Sequence, residues 1–161
     1  MIFLTIGTQM AFDRLVECVD GWAAGRPDVR VFAQIGDSAL SPEHIEARGF
    51  ISPQEYAEHM REASVVIAHA GLGSIISALE NGKPIIVLPR RAEMGEHRND
   101  HQLATARRFE AHDGVFVAFT TEDLIDRLGR LESITAPDVL RQDAAPELLD
   151  AIRAFIQERG D

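Results

Sequence analysis

The chain has 161 residues, 45% of them apolar, which fits a single domain over residues 1–161 with a sizeable core. A net charge of −10 and a pI near 5.0 argue against general nucleic-acid binding and against electrostatic docking on anionic lipid. The lone Cys18 excludes an intramolecular disulfide, Met1 to Ile6 is too short for a signal-peptide core, and no apolar run approaches the ~20 residues that span a bilayer.

In chain order, Ile2 to Ile6 reads as a buried strand ending at Gly7. Phe12, Leu15, Val16, Val19 and Trp22 then recur at helical spacing, with Asp13, Arg14, Glu17 and Asp20 on the other face. Gly25 to Asp28 breaks that helix, and Val29 to Ile35 is expected to form a second strand ending at Gly36. Asp37 to Glu46 is a polar connection, and Arg48 to Ile51 a short third strand. Ser52-Pro53-Gln54-Glu55 is a helix-start signature, with Ser as cap, Pro at the first helical position and Glu three residues after the cap. That helix should run to about Glu62.

Next come a strand at Val65–Ala68, a helix at Ser74–Asn81 and a strand at Ile85–Leu88. A helix from about Asn99 to Phe109 leads to a strand at Val115–Ala118. Thr120 to Asp123 starts another helix, with Leu124, Ile125, Leu128 and Leu131 aligned. After a break at Pro137, Leu148, Leu149, Ile152, Phe155 and Ile156 form an apolar stripe. The alternation of strands and helices predicts an α/β fold, a single Rossmann-like doubly wound parallel sheet. Such sheets bind ligands outside the carboxyl ends of their strands, where Gly7, Gly36, Gly71 and the loop after Pro89 all fall.

The stretch from Val65 to Gln102 carries the chemistry. Glycines at a strand–helix turn let backbone N–H groups approach a ligand, and the helix start adds partial positive charge, so Gly71, Gly73 and Ser74 suit a phosphate. Gly71 and Gly73 also fit an ordinary tight turn, and Ser74 an N-cap. His69 is either a satisfied structural residue or a phosphate or sugar contact. Lys83, Arg90, Arg91, His97, Arg98 and His101 make this region locally basic, while much of the acid lies between Glu43 and Glu62 and between Glu122 and Glu158. His97 and His101 stand four apart, but the His-Glu-x-x-His order is absent and no third ligand is apparent, so no metal is expected. There is no Gly-x-Ser-x-Gly elbow, and Cys18 lies inside the first helix, so neither nucleophile is supported.

Taken together, His69-Ala70-Gly71, Gly73-Ser74, Gly82-Lys83-Pro84, Pro89 and Asn99-Asp100-His101-Gln102 resemble the donor-binding, C-terminal half of GT-B glycosyltransferases. Gly49 to Gln54 resembles the loop that meets the nucleotide base there. The opening Ile2 to Gln9 and Phe12 to Leu15 resemble small family 28-like catalytic subunits of two-component transferases. Pro89-Arg90-Arg91 and Gly95 to Gln102 look most like bacterial exopolysaccharide subunits that transfer glucuronate to a lipid-linked glucose. The likeness covers roughly residues 1–120 in several ordered blocks.

The resemblance implies a UDP-sugar donor, UDP-glucuronate favoured, and an inverting transfer with no cofactor and no metal. It implies that His101 and Gln102 hold sugar hydroxyls, and that Arg90, Arg91 and Arg98 read a sugar carboxylate. Glu96, His97 and Asn99 belong to the same donor loop. Phe50 and Ile51, more often core residues, become a platform for uracil. Gly7 and Thr8, with Gln9, face either the acceptor or the diphosphate, unless they are an ordinary turn. Where many relatives have an acid for the ribose this chain has Ser77, with Glu80 one turn later. The catalytic base is unassigned, with His69 and His101 as candidates. The resemblance further implies a membrane-associated acceptor-binding subunit, a lipid-linked saccharide acceptor, and a cytoplasmic chain peripheral at the inner face of the plasma membrane. The alternatives are a non-catalytic nucleotide-sugar-binding module and an interaction subunit.

Overall fold

The computed structural model describes residues 1–137, so the stripe from Leu148 to Ile156 lies outside the described residues. Six short strands, β1 (Ile2–Thr5), β2 (Val31–Gln34), β3 (Glu46–Arg48), β4 (Val65–His69), β5 (Ile85–Leu88) and β6 (Val115–Val117), pair in one sheet. Every pairing is parallel, in the order β3-β2-β1-β4-β5-β6. The helices are α1 (Asp13–Ala23), α2 (Pro53–Glu62), α3 (Leu72–Glu80), α4 (His101–Phe109) and α5 (Thr121–Leu128).

The central strands are continuous apolar runs because both faces of the sheet are covered. Ile2, Leu4, Ile67, Ile86 and Leu88 pack with Leu15, Val19 and Trp22 of α1 and Leu124 and Leu128 of α5. Phe3, Phe32, Val66, Ile85 and Val87 face the opposite way, onto Met60 of α2, Ile75 and Leu79 of α3, and Phe109 of α4. Residues that alternate along each strand thus feed two separate cores.

Three local expectations need correction. The third strand occupies Glu46–Arg48 rather than Arg48 to Ile51. Ile35 and Gly36 continue the ladder by donating to the carbonyls of Arg48 and Gly49, and the chain then leaves the sheet, carrying Phe50 and Ile51 outward. Ile125 is 49% exposed and Leu131 sits in a separate 3-10 turn, because an eight-residue helix buries only the Leu124–Leu128 line. The loop after β5 contains a 3-10 turn, Ala92–Met94, closed by Gly95 at φ +70°, and α4 begins at His101 rather than Asn99.

Candidate functional site

β1 is flanked by β2 on one side and β4 on the other, so the chain leaves the sheet in opposite directions after β1 and β4. Helix α1 packs with α5 on one face, while α3 packs on the other. At this reversal of strand order a crevice opens at the carboxyl edge. It holds a cavity of about 880 Å³.

Gly7, Thr8, Phe50, Ile51, His69, Gly71, Gly73, Ser74, Arg90, His97, His101 and Gln102 all border this cavity. Ser77, Arg91, Glu96, Arg98 and Asn99 do not. Lys83 does not either, since it precedes β5 at the opposite edge and its Nζ donates to the Arg61 carbonyl at 2.7 Å. Among the described residues the cavity wall carries no Asp or Glu.

The three glycines have different physical reasons. Gly7 has φ +76°, and a Cβ there would lie 2.8 Å from Cε1 of His69. A Cβ on Gly71 would overlap Nε2 of the same imidazole and lie 2.8 Å from its Cδ2. His69 is therefore clamped between two bare backbones. A Cβ on Gly73, by contrast, would meet nothing within 4 Å and would point into the open crevice. Burial, with help from the Arg90 and His97 charges, lowers the His69 pKa from 6.5 to about 4, so its ring is neutral at neutral pH. Its Nδ1 is enclosed beside the Thr5 backbone without a well-formed hydrogen bond.

Two runs of backbone N–H groups border the cavity. Those of Leu72, Gly73 and Ser74 open α3 and are orphaned by helix geometry. Those of Thr8, Gln9 and Met10 donate to no group among the described residues. Around that loop the carbonyls of Ile6, Met10 and Ala11 are turned onto Arg90 and that of Gly7 onto Gln34.

Arg90 is 2% exposed. Its Nη2 donates to the carbonyls of Met10 at 2.6 Å and Ile6 at 2.8 Å, and its Nη1 to those of Ala11 at 2.7 Å and Glu96 at 3.3 Å. Phe12 roofs the guanidinium, 4.8 Å from ring centroid to Cζ. Burial lowers the Arg90 pKa to about 10, opposed by Glu96, and the group stays a cation. Its backbone N–H donates to Oε1 of Gln102 at 3.1 Å. This bond fixes the amide orientation and leaves its N–H donors free to meet a ligand.

The expected carboxylate-reading arginines thus need revision. Both terminal nitrogens of Arg90 are spent on carbonyls. Arg91 faces away, donating to the Phe119 carbonyl at 2.9 Å and pairing with Glu93 at 3.0 Å. Glu96 is a brace rather than a cavity group. Arg14 grips it through Nε at 2.6 Å and Nη2 at 2.8 Å, and the Arg91 N–H donates to it at 2.9 Å. Arg98 and Asn99 are exposed, and Asn99 accepts from the His101 N–H at 3.2 Å.

Phe50 is 55% exposed at the cavity rim, outside both cores, while Ile51 packs against the second core. Gln34, Tyr56 and Thr105 also border the cavity, and sequence reasoning passed over all three. Gln34 accepts from the Thr5 hydroxyl at 2.8 Å and donates to the carbonyls of Gly7 at 3.0 Å and Gly49 at 3.1 Å. A glutamine inside an otherwise apolar strand was the available signal. The Tyr56 hydroxyl meets Ser77 and Ser74, so Ser77 acts behind the wall; burial raises the Tyr56 pKa.

Residues 1–135 match the glycosyltransferase family 28 C-terminal domain. The human UDP-N-acetylglucosamine transferase subunit ALG13 is 30% identical over 159 residues, covering 89% of this chain and 13% of the human protein. The subunit of that name in Eremothecium gossypii is 47% identical over 49 residues, 30% of this chain and 22% of that protein. The chain therefore spans less than a quarter of the length of these relatives. An NMR solution structure of ALG13 has TM-score 0.64 and 23% identity, covering 92% of this chain and 94% of that one. The MurG protein of Acinetobacter baumannii has TM-score 0.57 and 19% identity, over 81% of this chain and 41% of that one. The fold is α/β, like the C-terminal half of a GT-B enzyme.

Proposed function

The chain belongs to the glycosyltransferase family 28 C-terminal domain family, and from that premise we propose that it is the donor-binding, catalytic subunit of a two-part UDP-sugar glycosyltransferase. The observation that carries this reading is the pair of unpartnered N–H runs, Thr8–Met10 and Leu72–Ser74, bordering one acid-free cavity. Backbone donors in a preorganised frame suit a diphosphate, whose charge grows as it leaves.

The acceptor hydroxyl oxygen attacks the anomeric carbon, forming the new C–O bond as the bond to the β-phosphate oxygen breaks, with inversion. UDP leaves against the two N–H runs, and no cofactor or metal is invoked. The hydroxyl proton passes to a general base, for which His101 on the wall of this chain and a group of the partner subunit are the candidates, the buried His69 being a weak base. Phe50 forms the platform for uracil, and His97, His101 and the Gln102 donors meet the sugar.

Glucuronate was expected from Arg90, Arg91 and Arg98, of which the first is occupied and the second points away. A neutral sugar of the N-acetylglucosamine type, as in the name of the human relative, fits the wall better. The acceptor is a lipid-linked saccharide held by a membrane-associated partner, which places this chain at the cytoplasmic face of the membrane. No described helix is long and apolar enough to cross a membrane.

The test is calorimetry with UDP, UDP-N-acetylglucosamine and UDP-glucuronate on wild type and Gly73→Val, followed by transfer assays with and without the partner. Because a side chain at Gly73 meets open space, the variant should fold normally yet lose at least about tenfold in UDP affinity. Equal affinity in both proteins would move the site elsewhere. Tighter binding of UDP-glucuronate than of UDP-N-acetylglucosamine would restore the acidic donor.

A further inference from the structure

We propose that Arg90 is a positioning residue, whose single guanidinium turns the β1–α1 loop so that its N–H groups face the diphosphate, while its backbone N–H sets the Gln102 amide toward the sugar. The inference rests on the donor-site reading above and goes beyond it by assigning the device that shapes the site.

The stereochemistry is specific. Three of the four carbonyls that Arg90 gathers, Ile6, Met10 and Ala11, belong to one six-residue stretch. Each carbonyl shares its peptide plane with the N–H of the next residue, so Arg90 fixes the planes on either side of the loop tip, those carrying the N–H groups of Gly7, Ala11 and Phe12. Gln34 fixes the plane carrying the Thr8 N–H through the Gly7 carbonyl, and the tip is held between these anchors. The N–H groups of Thr8, Gln9 and Met10 donate to no group among the described residues, and these three residues border the cavity. The fourth carbonyl, Glu96, lies in the loop after β5, and Arg14 ties that loop to α1 through the Glu96 carboxylate.

Arginine is required rather than lysine because four acceptors must be met from one plane. A guanidinium offers a rigid fork of N–H donors, whereas an ammonium offers three donors in a tetrahedral spread. Phe12 beneath the guanidinium keeps water from competing, since it is fully buried. The cation thus acts on the ligand through peptide groups and touches neither sugar nor phosphate with its terminal nitrogens.

The test compares wild type, Arg90→Lys and Arg90→Gln, with Leu128→Ala in α5 as a destabilised variant remote from the cavity. Two readouts are taken: backbone nitrogen-15 relaxation of Thr8, Gln9 and Met10, and calorimetric affinity for UDP and for uridine. Uridine reports the Phe50 platform, which Gln34 secures independently of Arg90. Arg90→Lys should lower the order parameters of the loop, lower UDP affinity by about tenfold and leave uridine within about twofold. Arg90→Gln should lose more, so that lysine is a partial rescue. Leu128→Ala should lower thermal stability without changing the ratio of UDP to uridine affinity.

Unchanged loop order parameters in both Arg90 variants overturn the proposal whatever the ligand, as does a ratio that moves equally in Leu128→Ala. If Arg90→Lys does not fold, Arg90→Gln carries the comparison. If neither folds, Arg90 is a stability residue and the proposal fails. Wild type that binds neither UDP nor uridine overturns the donor reading first, and this one with it.

Discussion

An imidazole clamped between two glycine backbones has little room to hydrate, and His69 shows the consequence. Its pKa falls from 6.5 to about 4, through burial first and then the Arg90 and His97 charges. Between those values the unfolded chain holds a proton that the folded chain rejects. This contribution to stability is therefore complete above about pH 6.5 and is lost as pH falls toward 4, at most about 3 kcal/mol. Urea unfolding of wild type and His69→Gln between those limits should give a steeper acid loss in wild type. Parallel curves would mean that the ring titrates normally. The motif around His69 could be read from the sequence because its residues are consecutive. What surrounds the glycines could not: Gly7 and Gly71 accommodate His69, whereas a Cβ on Gly73 would meet open space. Arg90 and Gln34 were misread or missed for the same reason, since their partners lie 80 and 27 residues away.

Elements whose signals are local were legible. The Ser52-Pro53-Gln54-Glu55 signature folds as a full capping box on α2, and Thr120 does the same for α5 with Asp123. The buried runs of β1, β4 and β5 fall where apolar continuity placed them. The edge strand β3 was misplaced because its residues, Glu46, Ala47 and Arg48, carry no strand pattern of their own. Its approach is fixed from a distance by Asp20 of α1, whose carboxylate accepts from the N–H groups of Glu43 at 3.2 Å, His44 at 2.8 Å and Ile45 at 3.2 Å. The Asp20 pKa is lowered: burial pushes it up, and these bonds together with His44 outweigh that. Asp20→Ala should cost about 1–3 kcal/mol in urea unfolding and speed amide exchange at Glu43 to Ile45, whereas Asp20→Asn should cost less. No change in exchange at those residues would mean that β3 is held by its ladder alone.

At the scale of the whole molecule, the doubly wound sheet places the β1, β3, β4 and β5 loops at one edge, and the struts from Gln34, Arg90 and Arg14 join the β1, β3 and β5 loops into one frame. The sheet was foreseeable from alternation; the frame was not, because it is made of side chains reaching across loops to carbonyls. The acid-free wall has a kinetic consequence. A chain of net charge −10 repels an incoming anion at long range, while the groups proposed to hold it are backbone amides with no net charge. Added salt shortens that repulsion and leaves the amides almost untouched. Stopped-flow association of a fluorescent UDP analogue should therefore accelerate as ionic strength rises from about 0.02 to 0.2 M, with the dissociation rate nearly constant. Slower association with salt would mean that a local cation steers the ligand in. The predicted behaviour is the reverse of an anion site built on arginine: a gate that opens as the solution becomes more conducting.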